Sequence, residues 1–254
     1  LSDTFQACSY DRAGIGFSDP GPMPRDTRNM AEDLHQLLKA SGLRGPYILV
    51  GHSLGGLTMR YYALKHRREV AGLVLADPSG ERQDARLFAA IGRPPPADAN
   101  AGRRACLAAA EKGLTPGTEA YNRCVGAPNK RWPQALQDAV TRMKMDPAFH
   151  RTQVSEFDSL ADIDSAQVQA AGRSLGSLPV VVLTAENTYR TGVPPAYADT
   201  LSQVWMTMHD EVAAMSSRGE NRLVRGSGHQ MPNDDPVSIA QAVRDVAVMA
   251  RSRR

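Results

Sequence analysis

The chain has 254 residues, 42% of them apolar and 22% charged, with a formal net charge of +3. That is enough chain for one sizeable α/β domain with an insertion, and too little basic charge, too scattered, for a nucleic-acid surface. No apolar run approaches the ~20 residues that a membrane span needs, and the three cysteines form neither a zinc spacing nor a C-x-x-C pair.

In chain order, residues 5–10 are apolar enough for a short strand that packs Cys8 inward. They run into YDRAGIGFSD, residues 10–19. The G-x-G of that stretch, Gly14 and Gly16, lacks the third glycine of a dinucleotide site, and a Pro-Gly-Pro loop follows it. It therefore reads as a tight turn leaving a strand. The opening residues carry no signal-peptide pattern. Residues 26–41 have helical periodicity, with Met30, Leu34, Leu37 and Leu38 on one face and Gly42 where a C′ glycine belongs.

Residues 46–56, PYILVGHSLGG, organise the rest. Tyr47-Ile48-Leu49-Val50 is an unalternating apolar run, suited to a strand buried on both faces of a parallel sheet. Gly51-His52-Ser53-Leu54-Gly55 follows, then Leu57, Tyr61 and Leu64 at helical spacing to about His66. A strand turning sharply into a helix through G-x-S-x-G is a nucleophile elbow. The turn lifts the Ser53 hydroxyl above the sheet, the glycines keep side chains from colliding across it, and the Leu54 N–H and helix dipole face any oxyanion formed there.

VAGLVLA, residues 70–76, is the next buried strand and delivers Asp77-Pro78 to the C-terminal sheet edge, where open α/β sheets build sites. Between residues 80 and 176 strand-like runs vanish. Helices are expected at 82–91, 99–112, 132–145 and 148–160, with Pro94-Pro95-Pro96 a rigid connector. The block is too long for a loop and reads as a helical insertion over the sheet edge. Residues 178–183 return to strand, a helix runs through 201–215, and 221–225 form a last short strand. GSGHQMPNDDP, residues 226–236, carries His229. A closing helix, 237–251, turns Ile239, Val243, Val246 and Ala250 inward. Arg251-Ser252-Arg253-Arg254 reads as a frayed end.

This succession resembles the α/β-hydrolase fold over most of the chain outside the insertion. YDRAGIGFSD is similar to that family's segment after its fourth strand, and GSGHQMPNDDP to its histidine loop. The resemblance implies a mostly parallel sheet flanked by helices, with a core at 1–79 and 177–254 and a helical cap at 80–176. It implies Ser53 as nucleophile and His229 as general base, in the family's order Ser…acid…His. A serine hydroxyl needs such a base to take its proton and return it to the leaving group. Two acids compete for the third place. Asp77 ends one sheet strand, as in lipases with a similar Asp-Pro step. Glu186 is the alternative, in TAENTYRTG after the 178–183 strand, where the family's G-x-x-D position falls on Thr188. Asp77 is preferred. The family carries about three strands and a His-Gly loop ahead of its YDRxG segment; this chain starts almost at that segment, as a truncated form of a longer product would. That loop supplies the second oxyanion donor.

His52 adjoins Ser53 and is expected to shape the pocket, with Trp132, Phe149, Phe157, Trp205 and Met231 as candidate walls. His35, His66, His150 and His209 lie on predicted helices without a motif and read as surface or packing residues. Cys106 and Cys124 flank a turn between two helices of the insertion and are expected to bridge, which favours a secreted or periplasmic protein over a cytoplasmic one. No H-x-x-x-H or clustered ligand set suggests a metal, and no cofactor is expected. The expectation is a serine hydrolase acting on a small-molecule carboxylic ester. Lactone, thioester, amide and carbon–carbon hydrolysis stay open, as does a non-catalytic ligand-binding protein of the same fold.

Overall fold

The computed structural model describes residues 1 and 3–252; Arg253 and Arg254, half of the expected frayed end, lie outside the described residues. The strands are β1 (Tyr47–His52), β2 (Val70–Ala76), β3 (Val180–Ala185) and β4 (Gly219–Val224). Among the described residues they form one parallel sheet in the order β1-β2-β3-β4. The two middle strands, VAGLVLA and VVVLTA, are almost wholly buried, which accounts for their unbroken apolar sequences. β1 is an edge strand of this sheet. Val50 is 45% exposed, so the run is not buried on both faces as its composition suggests.

The helices are α1 (Thr27–Ala40), α2 (Leu54–Lys65), α3 (Gln83–Ala90), α4 (Ala101–Glu111), α5 (Glu119–Cys124), α6 (Gln134–Met145), α7 (Pro147–Leu160), α8 (Ile163–Ala171), α9 (Pro195–Ala213), α10 (Met231–Asp234) and α11 (Pro236–Arg251). The short α5 and α10 escape sequence periodicity because one or two turns carry too few apolar positions to show a stripe, and α8 is a further helix the sequence did not announce. In α1, Met30, Ala31, Leu34 and His35 are buried while Leu37 is 43% exposed. The buried stripe follows i, i+4 rows, and Leu37 sits on its margin.

The chain divides into two compact units. One joins Leu1–Asp33 to Pro96–Ser159. Here Arg12 grips Glu156 through two hydrogen bonds of 2.8 and 3.0 Å. A disulfide joins Cys106 to Cys124 beside the small cluster of Ala110, Leu114 and Val125. Residues 5–10 of this unit are not a strand, and Cys8 is exposed rather than packed. A strand needs a ladder partner, and what the segment has locally is turn bonding, with the Thr4 and Phe5 amides donating to the Leu1 carbonyl.

The other unit joins Leu34–Pro95 to Leu160–Arg254 and holds the whole sheet. α2 packs on β1 and β2, α11 on β1, β2 and β3, and α9 on β3 and β4. The approach of α11 requires glycine at position 72, where a Cβ would stand 2.2 Å from Val246 Cγ1. Of the 80–176 insertion, only 96–159 belongs to the first unit. Its ends stay with the sheet unit, where α3 packs on α9 and α8 on α2. Strand register sets the functional edge: His52 lies beside Ala76, Ala76 beside Leu183, and Ala185 beside Val224. Ser53, Asp77, Glu186 and the loop after β4 therefore all leave the sheet at one end.

Candidate active site

Between β1 and α2 a single residue, Ser53, makes the turn, with φ 53° and ψ −125°. Such a backbone is strained for a non-glycine residue and persists because its surroundings hold it. Here the Ser53 amide donates to the Ala76 carbonyl at 3.2 Å, and the Ser53 carbonyl accepts from Ser79 and Gly56 at 3.0 and 2.9 Å. Two glycines are sterically required. A Cβ at Gly51 would lie 2.4 Å from the Gly55 carbonyl oxygen, and one at Gly56 would lie 2.5 Å from Pro78 Cβ. Gly55, the last glycine of G-x-S-x-G, has nothing within 4 Å of such a Cβ. The crowded third position is thus Gly56, one residue past the motif.

Ser53 Oγ lies 3.1 Å from His229 Nε2, and His229 Nδ1 lies 2.7 Å from Asp77 Oδ2. The carboxylate accepts at Nδ1–H, which leaves the Nε2 lone pair facing the serine hydroxyl. Asp77 is fully buried and has a positive φ of 43°. Besides His229 it accepts from the Ala185 amide at 3.0 Å, the Thr188 hydroxyl at 2.6 Å and the Trp205 indole at 2.8 Å. Burial alone pushes its carboxyl up. The hydrogen bonds from His229, Thr188 and Trp205, with the field of His209, outweigh burial and hold it below the ordinary carboxylate value.

The loop after β4 is tied down at several points. His52 Nε2–H donates to the His229 carbonyl at 2.6 Å, so His52 clamps the loop that carries His229. Burial lowers the His52 pKa and favours its neutral form. Glu186 accepts from the Gly226 amide at 2.8 Å and pairs with Arg225 at 3.5 Å. It fastens the loop, and Asp77 is the carboxylate that meets the imidazole. Leu54 opens α2, and the first N–H groups of a helix have no intrahelical acceptor.

The remaining expected residues are placed differently. Trp205 is 3% exposed and serves Asp77, and its ring borders a cavity of about 330 Å³ lined also by Thr184, Thr188, Tyr189 and Ser202. Met231 is a core residue with no exposure. Trp132, Phe149 and Phe157 belong to the first unit: Trp132 is 39% exposed, Phe149 is buried edge-on to His150, and Phe157 lies under the Arg103 guanidinium. His209 is fully buried, donating from Nε2 to the Pro78 carbonyl at 2.9 Å. Sequence reading gave no hint that Trp205 would donate to Asp77. Thr188 had a signal, since the resemblance placed the family's G-x-x-D position on it, and here its hydroxyl donates to Asp77.

A family model described as alpha/beta hydrolase fold matches residues 1–188. Over 248 residues the chain is 25% identical to the uncharacterized protein YqjL of Bacillus subtilis, covering 97% of this chain and 74% of YqjL. Among solved structures, a protein assigned as an epoxide hydrolase from Pseudomonas aeruginosa superposes with a TM-score of 0.59 at 19% identity, over 95% of this chain and 79% of that one. A thermophilic esterase from Thermogutta terrifontis gives 0.55 at 20% identity, over 94% and 78%. The last two likenesses establish the fold.

Proposed function

This chain belongs to the α/β hydrolase fold family, and we propose that within it the protein is a serine hydrolase of carboxylic esters. The reading is carried by the Ser53–His229–Asp77 hydrogen-bonded chain. Ser53 Oγ attacks the acyl carbon while His229 Nε2 takes its proton, and the carbonyl oxygen gains negative charge beside the Leu54 N–H. Collapse of the tetrahedral species breaks the ester bond, and His229 returns the proton to the departing alkoxide. Water then repeats the sequence on the acyl-enzyme, with His229 again as base, and releases the acid. General-base assistance of this kind contributes roughly 10²–10⁴-fold. The ionised, buried Asp77 fixes the productive tautomer and stabilises the imidazolium that forms.

A serine at the elbow favours acyl transfer over epoxide opening, since epoxide hydrolases of this fold attack with aspartate. Ester, lactone, thioester and amide substrates share the chemistry, and the fold does not choose among them. The helical insertion at 80–176 takes the cap role in this reading. The Cys106–Cys124 disulfide supports an oxidising compartment, secreted or periplasmic. Among the described residues no helix is long and apolar enough to cross a membrane.

The test is covalent labelling with a fluorophosphonate probe, followed by turnover of a p-nitrophenyl ester. Labelling of the parent that is abolished in Ser53→Ala is the expected result. A folded protein that takes no label would overturn the reading in favour of a ligand-binding member of the fold.

A further inference from the structure

At the far end of α2 from Ser53 lies a second group of chemically competent side chains. His66 caps that helix, Glu69 ends the following 3-10 turn (Arg67–Glu69), and His35 reaches them from α1. His66 lies thirteen positions beyond Ser53, a span of about 20 Å at ~1.5 Å per helical residue. No H-x-x-x-H in the sequence announces this cluster, because one imidazole comes from a different helix.

We propose that His35, His66 and Glu69 bind a divalent transition-metal ion of the zinc class. One candidate ligand atom from each of the three residues lies within 4.8 Å of the others. Glu69 forks between the rings: Oε2 is 3.2 Å from His35 Nδ1, and Oε1 is 3.9 Å from His66 Nδ1. Ligands 2.0–2.1 Å from a tetrahedral zinc sit about 3.3 Å from one another, so these separations bracket what the ion demands. The donor set, two imidazoles and a carboxylate, matches zinc preference and leaves a fourth position for water. Outer support is also in place. The buried Tyr62 hydroxyl donates to Glu69 Oε2 at 2.5 Å, orienting the carboxylate as outer-shell partners of metal sites do.

One adjustment is required. The two imidazoles are stacked, with centroids 3.9 Å apart and planes 18° from parallel, so no ion lies in both ring planes at once. His66 can supply the rotation. It caps α2 with non-helical φ −116° and ψ 45°, its amide still donating to the Tyr62 carbonyl at 2.7 Å, and its ring is half-buried, whereas His35 is 8% exposed. The bound ion then ties α1 to the C-terminal end of α2.

The experiment is calorimetric titration of the full chain with Zn²⁺, and visible absorption with Co²⁺, both in a Cys8→Ser background to remove the exposed thiol. The expected result is one saturable equivalent, cobalt bands of a four- or five-coordinate nitrogen–oxygen site, and a thermal midpoint raised by several degrees. His66→Gln and Glu69→Gln should each weaken zinc about a hundredfold or more, and Tyr62→Phe about tenfold, by loss of outer-shell support. Thermal melts without metal verify that each variant is folded. Absence of saturable binding to the folded parent, or unchanged affinity in both His66→Gln and Glu69→Gln, overturns the proposal.

Discussion

The indole of Trp205 donates to Asp77 Oδ1 at 2.8 Å, so the carboxylate that meets His229 is gripped from behind by α9. The geometry fixes a direction as well as a distance. With Thr188 and Ala185 also donating, the oxygens of Asp77 have few orientations left. Trp205→Phe keeps the ring and removes one donor. A hydrogen bond to a charged group is worth about 1.5–3 kcal/mol, so kcat on a p-nitrophenyl ester should fall roughly 10- to 100-fold with KM unchanged. A variant as active as the parent would remove Trp205 from the positioning role.

The two acids at the sheet edge should separate cleanly. Asp77→Asn offers His229 an amide that cannot stabilise the imidazolium, and a loss of about 10⁴ in kcat is expected by analogy with serine proteases. Glu186→Gln still presents an oxygen to the Gly226 amide and should cost less than tenfold in the same assay. The reverse ranking would transfer the role to Glu186.

Glycines in the elbow should respond unequally. Gly51→Ala drives a Cβ against backbone 2.4 Å away and should destabilise by roughly 1–3 kcal/mol, with loss of labelling. Gly55→Ala enters open space inside a helix and should be neutral or stabilising by up to ~1 kcal/mol. Denaturant midpoints of the two variants read this directly.

Acid should weaken the fold in two stages. Burial pushes His209 and His52 below the ordinary imidazole value, so under pH ~6.5 the unfolded chain takes up protons that the folded chain refuses. The unfolded state then binds more protons, and stability falls with pH. Asp77 acts in the same direction at lower pH: its depressed carboxyl contributes stability above the ordinary carboxylate range, lost as pH falls through the folded value. Denaturant midpoints between pH 7.5 and 5 should decline less steeply in His209→Gln than in the parent.

The disulfide predicts a thiol count. Of three cysteines two are joined, so the denatured, unreduced protein should titrate one thiol, that of Cys8, and the reduced protein three. Closing an 18-residue separation is worth about 3 kcal/mol, and reduction should lower the thermal midpoint accordingly.

Local chemistry was enough to expose the elbow, because apolar strand, crowded glycines and helix periodicity are contiguous between Tyr47 and Leu64. The same holds for β2, β3 and the long helices, whose patterns repeat over many residues. Residues 5–10 misled for the opposite reason. An extended apolar stretch becomes a strand only when another strand reaches it, and composition does not say whether one does. Val50 and Leu37 likewise carry apolar side chains whose exposure is fixed by neighbours far away in sequence.

Ser53, His229 and the Asp77-or-Glu186 alternative could be written down from the order of residues alone. Only the folded chain shows which of the two carboxylates meets His229, because that contact depends on the register of β2 against β3, and the donors that hold Asp77, Thr188 and Trp205, lie more than a hundred positions downstream. The grouping of His35 with His66 and Glu69 was equally invisible: a cluster assembled across two helices leaves no period or spacing in the chain. Sequence fixes what lies along one element; contact between elements is set by how their faces pack.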